Sequence, residues 1–176
     1  KLQEYRELFY EDILLARILQ RRIFEMDPSL KTEFDLDLRY NPSLELSGDV
    51  YDLKKMESGV LRVFLADAKG HGVNASLSAM LIKSEWAHLN NQDISPGYGL
   101  TILNSLLYER YGDSVSCTAV VADICEDMIV FSSAGHIQQL LIQDTVITDL
   151  EATGPPLGIV AEAEYPEKKI PISGHG

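Results

Sequence analysis

Leu65-Ala66-Asp67-Ala68-Lys69-Gly70-His71-Gly72 is the stretch on which the reading of this chain turns. An apolar run over 60–66 delivers a carboxylate to its end, where a glycine turn hands over to a helical pattern. That arrangement presents Asp67 at a sheet edge, and Gly70 and Gly72 are expected to allow close approach of the backbone. A carboxylate and a neighbouring main-chain carbonyl can then face a hard cation together. Upstream lies Ser47-Gly48-Asp49-Val50-Tyr51-Asp52, a Gly-Asp pair at the mouth of another apolar run over 50–56. If the two runs form a hairpin through Glu57-Ser58-Gly59, the start of one strand lies beside the end of the other. Asp49 and Asp67 then converge. Two carboxylates placed together repel unless a proton or a metal sits between them, and a pair of divalent cations is the usual solution for phosphoester hydrolysis.

The rest of the chain builds a frame around this hairpin. Residues 2–25 read as one long helix, with Leu2, Tyr5, Phe9, Ala16, Leu19 and Ile23 near heptad spacing and Leu8, Leu15 and Ile18 widening the stripe. Asp12 interrupts the seam, so the helix is either an arm docked on its own domain or a dimerising, signal-transmitting helix. Asp27-Pro28 ends it. Phe34, Leu36, Leu38 and Tyr40 alternate with Asp35, Asp37 and Arg39, which predicts a half-buried strand. Helices are expected over 74–89 and 100–111, with a loop over 91–99 between them. Strands follow over 116–123, 128–133, 139–143, 146–150 and 167–172, and Ser173-Gly174-His175-Gly176 reads as a loop-like tail. Strands in consecutive runs with helices grouped between them argue for an α+β fold of two packed antiparallel sheets.

Composition narrows the function. The chain has 176 residues, 45% of them apolar, and a formal net charge of −12. That is enough for one domain with a sizeable core. The acidic balance and the lack of a basic tract argue against a nucleic-acid binder. Cys117 and Cys125 form neither a disulfide framework nor a metal-ligand spacing, and read as thiols of a reduced compartment. No apolar run is long enough to cross a bilayer, so a cytoplasmic location is expected.

Taken in order, these motifs closely resemble the SpoIIE-like branch of the metal-dependent (PPM-type) serine/threonine protein phosphatases. The resemblance rests on Ser47-Gly48-Asp49-Val50-Tyr51-Asp52 and on Ala66-Asp67-Ala68-Lys69-Gly70-His71-Gly72-Val73-Asn74-Ala75-Ser76-Leu77. Thr118 at the start of a strand, Ser133-Ala134-Gly135-His136 and Gly154-Pro155-Pro156-Leu157-Gly158 match further motifs in register. It implies an αββα sandwich with two Mn²⁺ or Mg²⁺ ions between the sheets and water activated by the metals as the attacking group. By position, Asp67 resembles the carboxylate that bridges both metals. Asp49 resembles a ligand to one of them, and the carbonyl of Ala68 takes the place of a backbone ligand. Asp52 is expected as a supporting carboxylate that orients Tyr51 or water. Gly70 and His71 support the turn, and His136 is read as turn structure.

The family usually draws further ligands from a late Thr-Asp-Gly strand and a final Asp. No Thr-Asp-Gly occurs here, and Asp123 and Asp127 read as hairpin-turn residues. The expected organisation is therefore an N-terminal linker helix over 1–27 and a C-terminally incomplete phosphatase domain over 28–176. The resemblance implies removal of phosphate from Ser or Thr of a regulatory protein, a STAS-type antagonist of an anti-sigma factor, in bacterial stress signalling. An upstream sensor or receiver domain, and a homodimer through the N-terminal helix, are the other expected partners. The alternative is a pseudo-phosphatase that keeps the fold as a protein-binding module.

Overall fold

The computed structural model describes residues 2–42 and 46–172 of the chain; the tail 173–176 lies outside them. Helices α1 (Leu2–Ile23) and α2 (Ser29–Glu33) lead into the hairpin of β1 (Asp49–Lys55) and β2 (Leu61–Ala68). Helices α3 (Gly72–Leu89) and α4 (Pro96–Tyr111) follow, and then β3 (Cys117–Ile124), β4 (Met128–Ala134), β5 (Gln139–Gln143), β6 (Val146–Leu150) and β7 (Lys168–Pro171). Five strands form one antiparallel sheet in the order β1-β2-β3-β4-β7, and β5 and β6 form a second, two-stranded sheet. The expected α+β class with two antiparallel sheets is what the chain adopts. No described helix is long and apolar enough to cross a membrane.

Alternation along the strands sorts the sheet into two faces. Val50, Phe64, Ala66, Ala68, Ala119 and Val121 point to one side, where Ile82 and Trp86 of α3 and Leu100, Leu103 and Leu107 of α4 complete the main core. Phe64 stacks on Trp86 with ring centroids 4.4 Å apart. On the other face Leu65, Val120 and Phe131 meet Leu141 and Leu150 of the β5–β6 hairpin. Helices cover one face and a hairpin the other, while Leu140, Ile142 and Ile147 on the hairpin remain exposed.

Two sequence expectations change. Phe34, Leu36, Leu38 and Tyr40 are half-buried and their neighbours exposed, as the alternation requires, yet no strand forms over 34–40. Residues 29–33 make a short helix instead, and Asp35 takes a positive φ of 47°. Alternating burial reports which side chains face the protein; a strand also needs a neighbouring strand for its backbone hydrogen bonds, and 34–40 pairs with none among the described residues. The second change is at α4, which begins at Pro96 rather than at 100. Proline is compatible with a first helical turn, and the carboxylate of Glu167, from far along the chain, accepts the Gly97 N–H at 2.9 Å. A Cβ at Gly97 would lie 2.2 Å from the Tyr165 carbonyl, which is why a glycine stands there.

Candidate metal centre

The hairpin register places Asp49 directly opposite Asp67, and the next ladder places Asp67 opposite Thr118. Residues directly opposite in antiparallel strands share a face, with Cβ atoms roughly 5 Å apart. The three side chains therefore form a row across β1, β2 and β3. Ala66, Ala68, Cys117 and Ala119 alternate to the helix side, so the row lies on the face turned toward the second sheet. The convergence of the two carboxylates read from the Gly59 hairpin is what the fold produces.

Charge sets the two carboxylates of the row against each other. The Asp67 carboxyl is held above its ordinary range, first by burial and then by the negative charge of Asp49; His136 opposes this. Burial pushes the adjacent Cys117 thiol up to about 12, with the Asp67 charge adding to it, so this cysteine is an inert core residue. Two facing carboxylates offer the oxygen ligands that a hard divalent cation takes. The described residues bring no third His, Cys, Asp or Glu close enough to complete a set of three.

Gly48 explains the Ser-Gly-Asp motif. A Cβ there would stand 3.2 Å from the Ala75 Cβ of α3 and 3.3 Å from the Ala68 carbonyl oxygen. The Ala68 N–H donates to the Gly48 carbonyl at 3.0 Å. The carbonyl assigned to the metal by resemblance thus sits against the one residue whose missing side chain leaves it room. Gly70 and Gly72 serve differently from expectation. Nothing lies within 4 Å of a Cβ at either, so no close approach is involved; their φ values of +100° and +72° are what require glycine. His71 is exposed at the N-cap position of α3, where its side chain makes no capping hydrogen bond.

Asp52 is not brought into the row. Its carboxylate pairs with the buried Lys83 of α3 at 2.6 Å and accepts from Asn90 at 2.9 Å, tying β1 to the helix layer. Asp123, read as a turn residue, lies in β3 opposite Arg62 and forms a bidentate ion pair with it at 2.6 and 2.7 Å. Asp127 does sit in the turn between β3 and β4.

Two participants were not legible as such. Gln20, on the long helix, is buried and grips the backbone of Ser47. Its amide donates to the Ser47 carbonyl at 2.8 Å and accepts the Ser47 N–H at 3.1 Å. The Ser47 hydroxyl in turn donates to the Asp49 carboxylate at 3.2 Å. Gln20 is one of many polar residues on this helix, so nothing in the sequence singled it out. The second is His136, whose Nδ1 lies 2.8 Å from the Thr118 hydroxyl at the end of the row.

The proline loop walls the site. A cavity of about 250 Å³ beside Asp67 is bounded by Lys69, Cys117, Thr118, Pro156 and Ile159. Leu157 bridges Cys117 through backbone hydrogen bonds. The fully buried Asn104 of α4 anchors the loop, accepting the Gly158 N–H at 2.9 Å and donating to the Val160 carbonyl at 2.8 Å.

Comparison with known proteins gives the chain a family and a fold. Residues 57–174 match the family described as Stage II sporulation protein E (SpoIIE). The chain is 25% identical over 181 residues to phosphoserine phosphatase RsbP of Bacillus subtilis (strain 168), covering 99% of this chain and 45% of that protein. It thus spans less than half the length of that relative. Among solved structures, the SiaA-PP2C domain of Pseudomonas aeruginosa matches with a TM-score of 0.82 at 17% identity, over 96% of this chain and 69% of that one. The PP2C phosphatase domain of SpoIIE from Bacillus subtilis, solved with a fragment of its regulatory domain, matches with a TM-score of 0.60 at 19% identity, over 73% and 38%. At these identities the structural likeness is one of fold.

Proposed function

The chain belongs to the SpoIIE family, within the PPM-type serine/threonine protein phosphatases, and from that premise we propose that it hydrolyses phosphoserine or phosphothreonine on a bacterial regulatory protein. The observation that carries the reading is the register that sets Asp49 opposite Asp67 on the inter-sheet face. The proposed substrate is a STAS-type antagonist of an anti-sigma factor. The likeness to RsbP, a phosphoserine phosphatase, supports the chemistry.

In this reading Asp49, Asp67 and the Ala68 carbonyl hold Mn²⁺ or Mg²⁺. The bound ions supply Lewis acidity toward the phosphoryl group and lower the pKa of attacking water. The chain's own residues do the rest. Lys69 offers an exposed cation at the cavity that borders Asp67, and the loop over 154–158 closes one side of that cavity. Release of phosphate from a phosphoserine form of such an antagonist, dependent on Mn²⁺ and abolished by a chelator, is the expected result. Absence of turnover in the full-length protein with saturating Mn²⁺ would contradict the proposal.

Residues 1–27 are proposed as the linker helix and 28–176 as the phosphatase domain. Along α1, Leu2, Tyr5, Leu8 and Phe9 are more than half exposed, which suits a homodimer or a coupling to an upstream sensor or receiver domain. Light scattering should give a dimer, and a Tyr5→Glu/Phe9→Glu variant a monomer. The grip of Gln20 on Ser47 offers the route by which such a helix would act. Gln20→Leu keeps the size but leaves the Ser47 N–H and carbonyl without partners. Loss of a residue that orients a ligand typically costs metal affinity by roughly 10- to 100-fold. Isothermal titration with Mn²⁺ should show a loss of that order.

A further inference from the structure

The row of side chains that begins at Asp49 and Asp67 continues beyond Thr118. The Thr118 Oγ1 lies 2.8 Å from the Nδ1 of His136, a residue delivered from the connection between β4 and the second sheet. The imidazole is half-buried, and it is electrostatically coupled to both Asp67 and Asp49. Its placement is built. Gly135, just before it, has a φ of +61°, and a Cβ there would lie 2.8 Å from Pro156. Gly135 also bridges Ala119 in β3, and Ala134 bridges Gly154 of the proline loop. Strand, glycine turn and proline loop together aim the ring at the end of the acidic row.

We infer that His136 donates a hydrogen bond to the phosphoryl oxygens of the phosphate monoester, with Thr118 as the positioning residue that orients its ring. When the Thr118 hydroxyl donates to Nδ1, the ring hydrogen resides on Nε2. The ring then carries one donor and one occupied acceptor. Burial lowers the pKa of His136, the charges of Asp67 and Asp49 oppose this, and the Thr118 hydroxyl contacts the ring at Nδ1. A phosphate ester entering beside two carboxylates needs donors. Lys69 is the one cationic side chain among the described residues lining the cavity; His136 stands behind Thr118, which does line it, at the other end of the row. The inference rests on the phosphatase reading of the same site.

The test measures inorganic phosphate binding by isothermal titration in saturating Mg²⁺, together with kcat and KM for an aryl phosphate, in the full-length protein. A hydrogen bond to a charged oxygen corresponds to about a tenfold or greater change in affinity. His136→Ala should therefore weaken phosphate binding and raise KM by about tenfold, with Mg²⁺ affinity unchanged. His136→Gln, which keeps an N–H at the same reach, should recover part of the loss. Thr118→Val should act in the same direction as His136→Ala and add little to it in the double variant, while Thr118→Ser should behave as wild type. If His136→Ala fails to fold, Thr118→Val carries the comparison. Unchanged phosphate affinity in these variants would overturn the inference, and so would a loss of Mg²⁺ affinity large enough to account for the whole effect. Asp67→Asn separates the two levels. An inactive Asp67→Asn beside an unaffected His136→Ala removes only the role of His136, whereas an active Asp67→Asn removes the metal-centre reading on which it stands.

Discussion

Replacing Asp67 by Asn is expected to lower turnover by at least about a thousandfold while making the metal-free protein more stable. Charge stabilisation by metal ions at a phosphoryl group is worth several kcal/mol, and about 4 kcal/mol corresponds to three decades in rate. An amide removes the negative charge that Asp67 would offer to bound cations. The stability gain follows from the direction of the Asp67 shift. Burial and the Asp49 charge hold its carboxyl above the ordinary range in the folded state. The folded state therefore binds this proton more tightly than the unfolded chain. Its contribution to stability is present below the unfolded pKa and is lost as the pH rises through the folded one. At neutral pH the metal-free fold carries an ionised Asp67 beside Asp49, and Asn relieves that repulsion. Thermal melts in a chelator should show Asp67→Asn melting higher than wild type at pH 7, with the difference vanishing at acid pH. Added Mn²⁺ should raise the wild-type transition and leave that of the variant nearly unmoved. A wild-type level of phosphatase activity in the variant would refute the assignment of Asp67.

The second large effect concerns stability alone and lies on the helix side of the sheet. Arg62 is 3% exposed; its Nε and Nη2 bond both carboxylate oxygens of Asp123, and Nη2 also bonds the Ile94 carbonyl at 2.6 Å. Breaking a buried pair by removing one partner costs about 3–5 kcal/mol, because the remaining charge is left uncompensated. Arg62→Met should destabilise by that amount in urea titrations with an unchanged m-value. Replacing the pair with apolar residues of similar volume is frequently near neutral, so Arg62→Met/Asp123→Leu should recover most of the loss. If the double variant is no better than the single one, the cost arises from the lost bond to Ile94 and from packing, not from the stranded carboxylate. Arg62 Nη1 has no partner among the described residues, which is consistent with a pair retained for its bonds to Asp123.

What could be read before folding, and what could not, divides by the range of the interaction. The β1–β2 hairpin was legible because its determinants are local: two apolar runs, a Gly59 with φ of +85°, and carboxylates at fixed offsets from that turn. Antiparallel pairing through a known turn fixes the register, and the register puts Asp49 opposite Asp67. The strand expected over 34–40 failed for the complementary reason. Its side-chain alternation is local, while its backbone partner would have had to come from elsewhere. Asp123 was misread because a carboxylate near a turn looks alike whether it faces water or an arginine on the neighbouring strand. Asp52 was placed near the metals by proximity in sequence to Asp49; three residues along a strand is far enough to reach Lys83 on another element.

The sequence by itself determined the α+β class, the acidic hairpin and the family. All of these follow from local periodicity, turn chemistry and ordered motifs. Only the tertiary structure decided how that hairpin is served: Gln20 through Ser47 to Asp49, Asn104 to the proline loop, and His136 to Thr118 at the end of the row. These contacts span from 18 to 54 residues except for the local Ser47–Asp49 link. Such partners are selected by how the layers pack, not by neighbours in the chain. The motif around Asp67 lies at the centre of the proposed site, and the packing of helix, sheet and loop around it supplies the residues that position it.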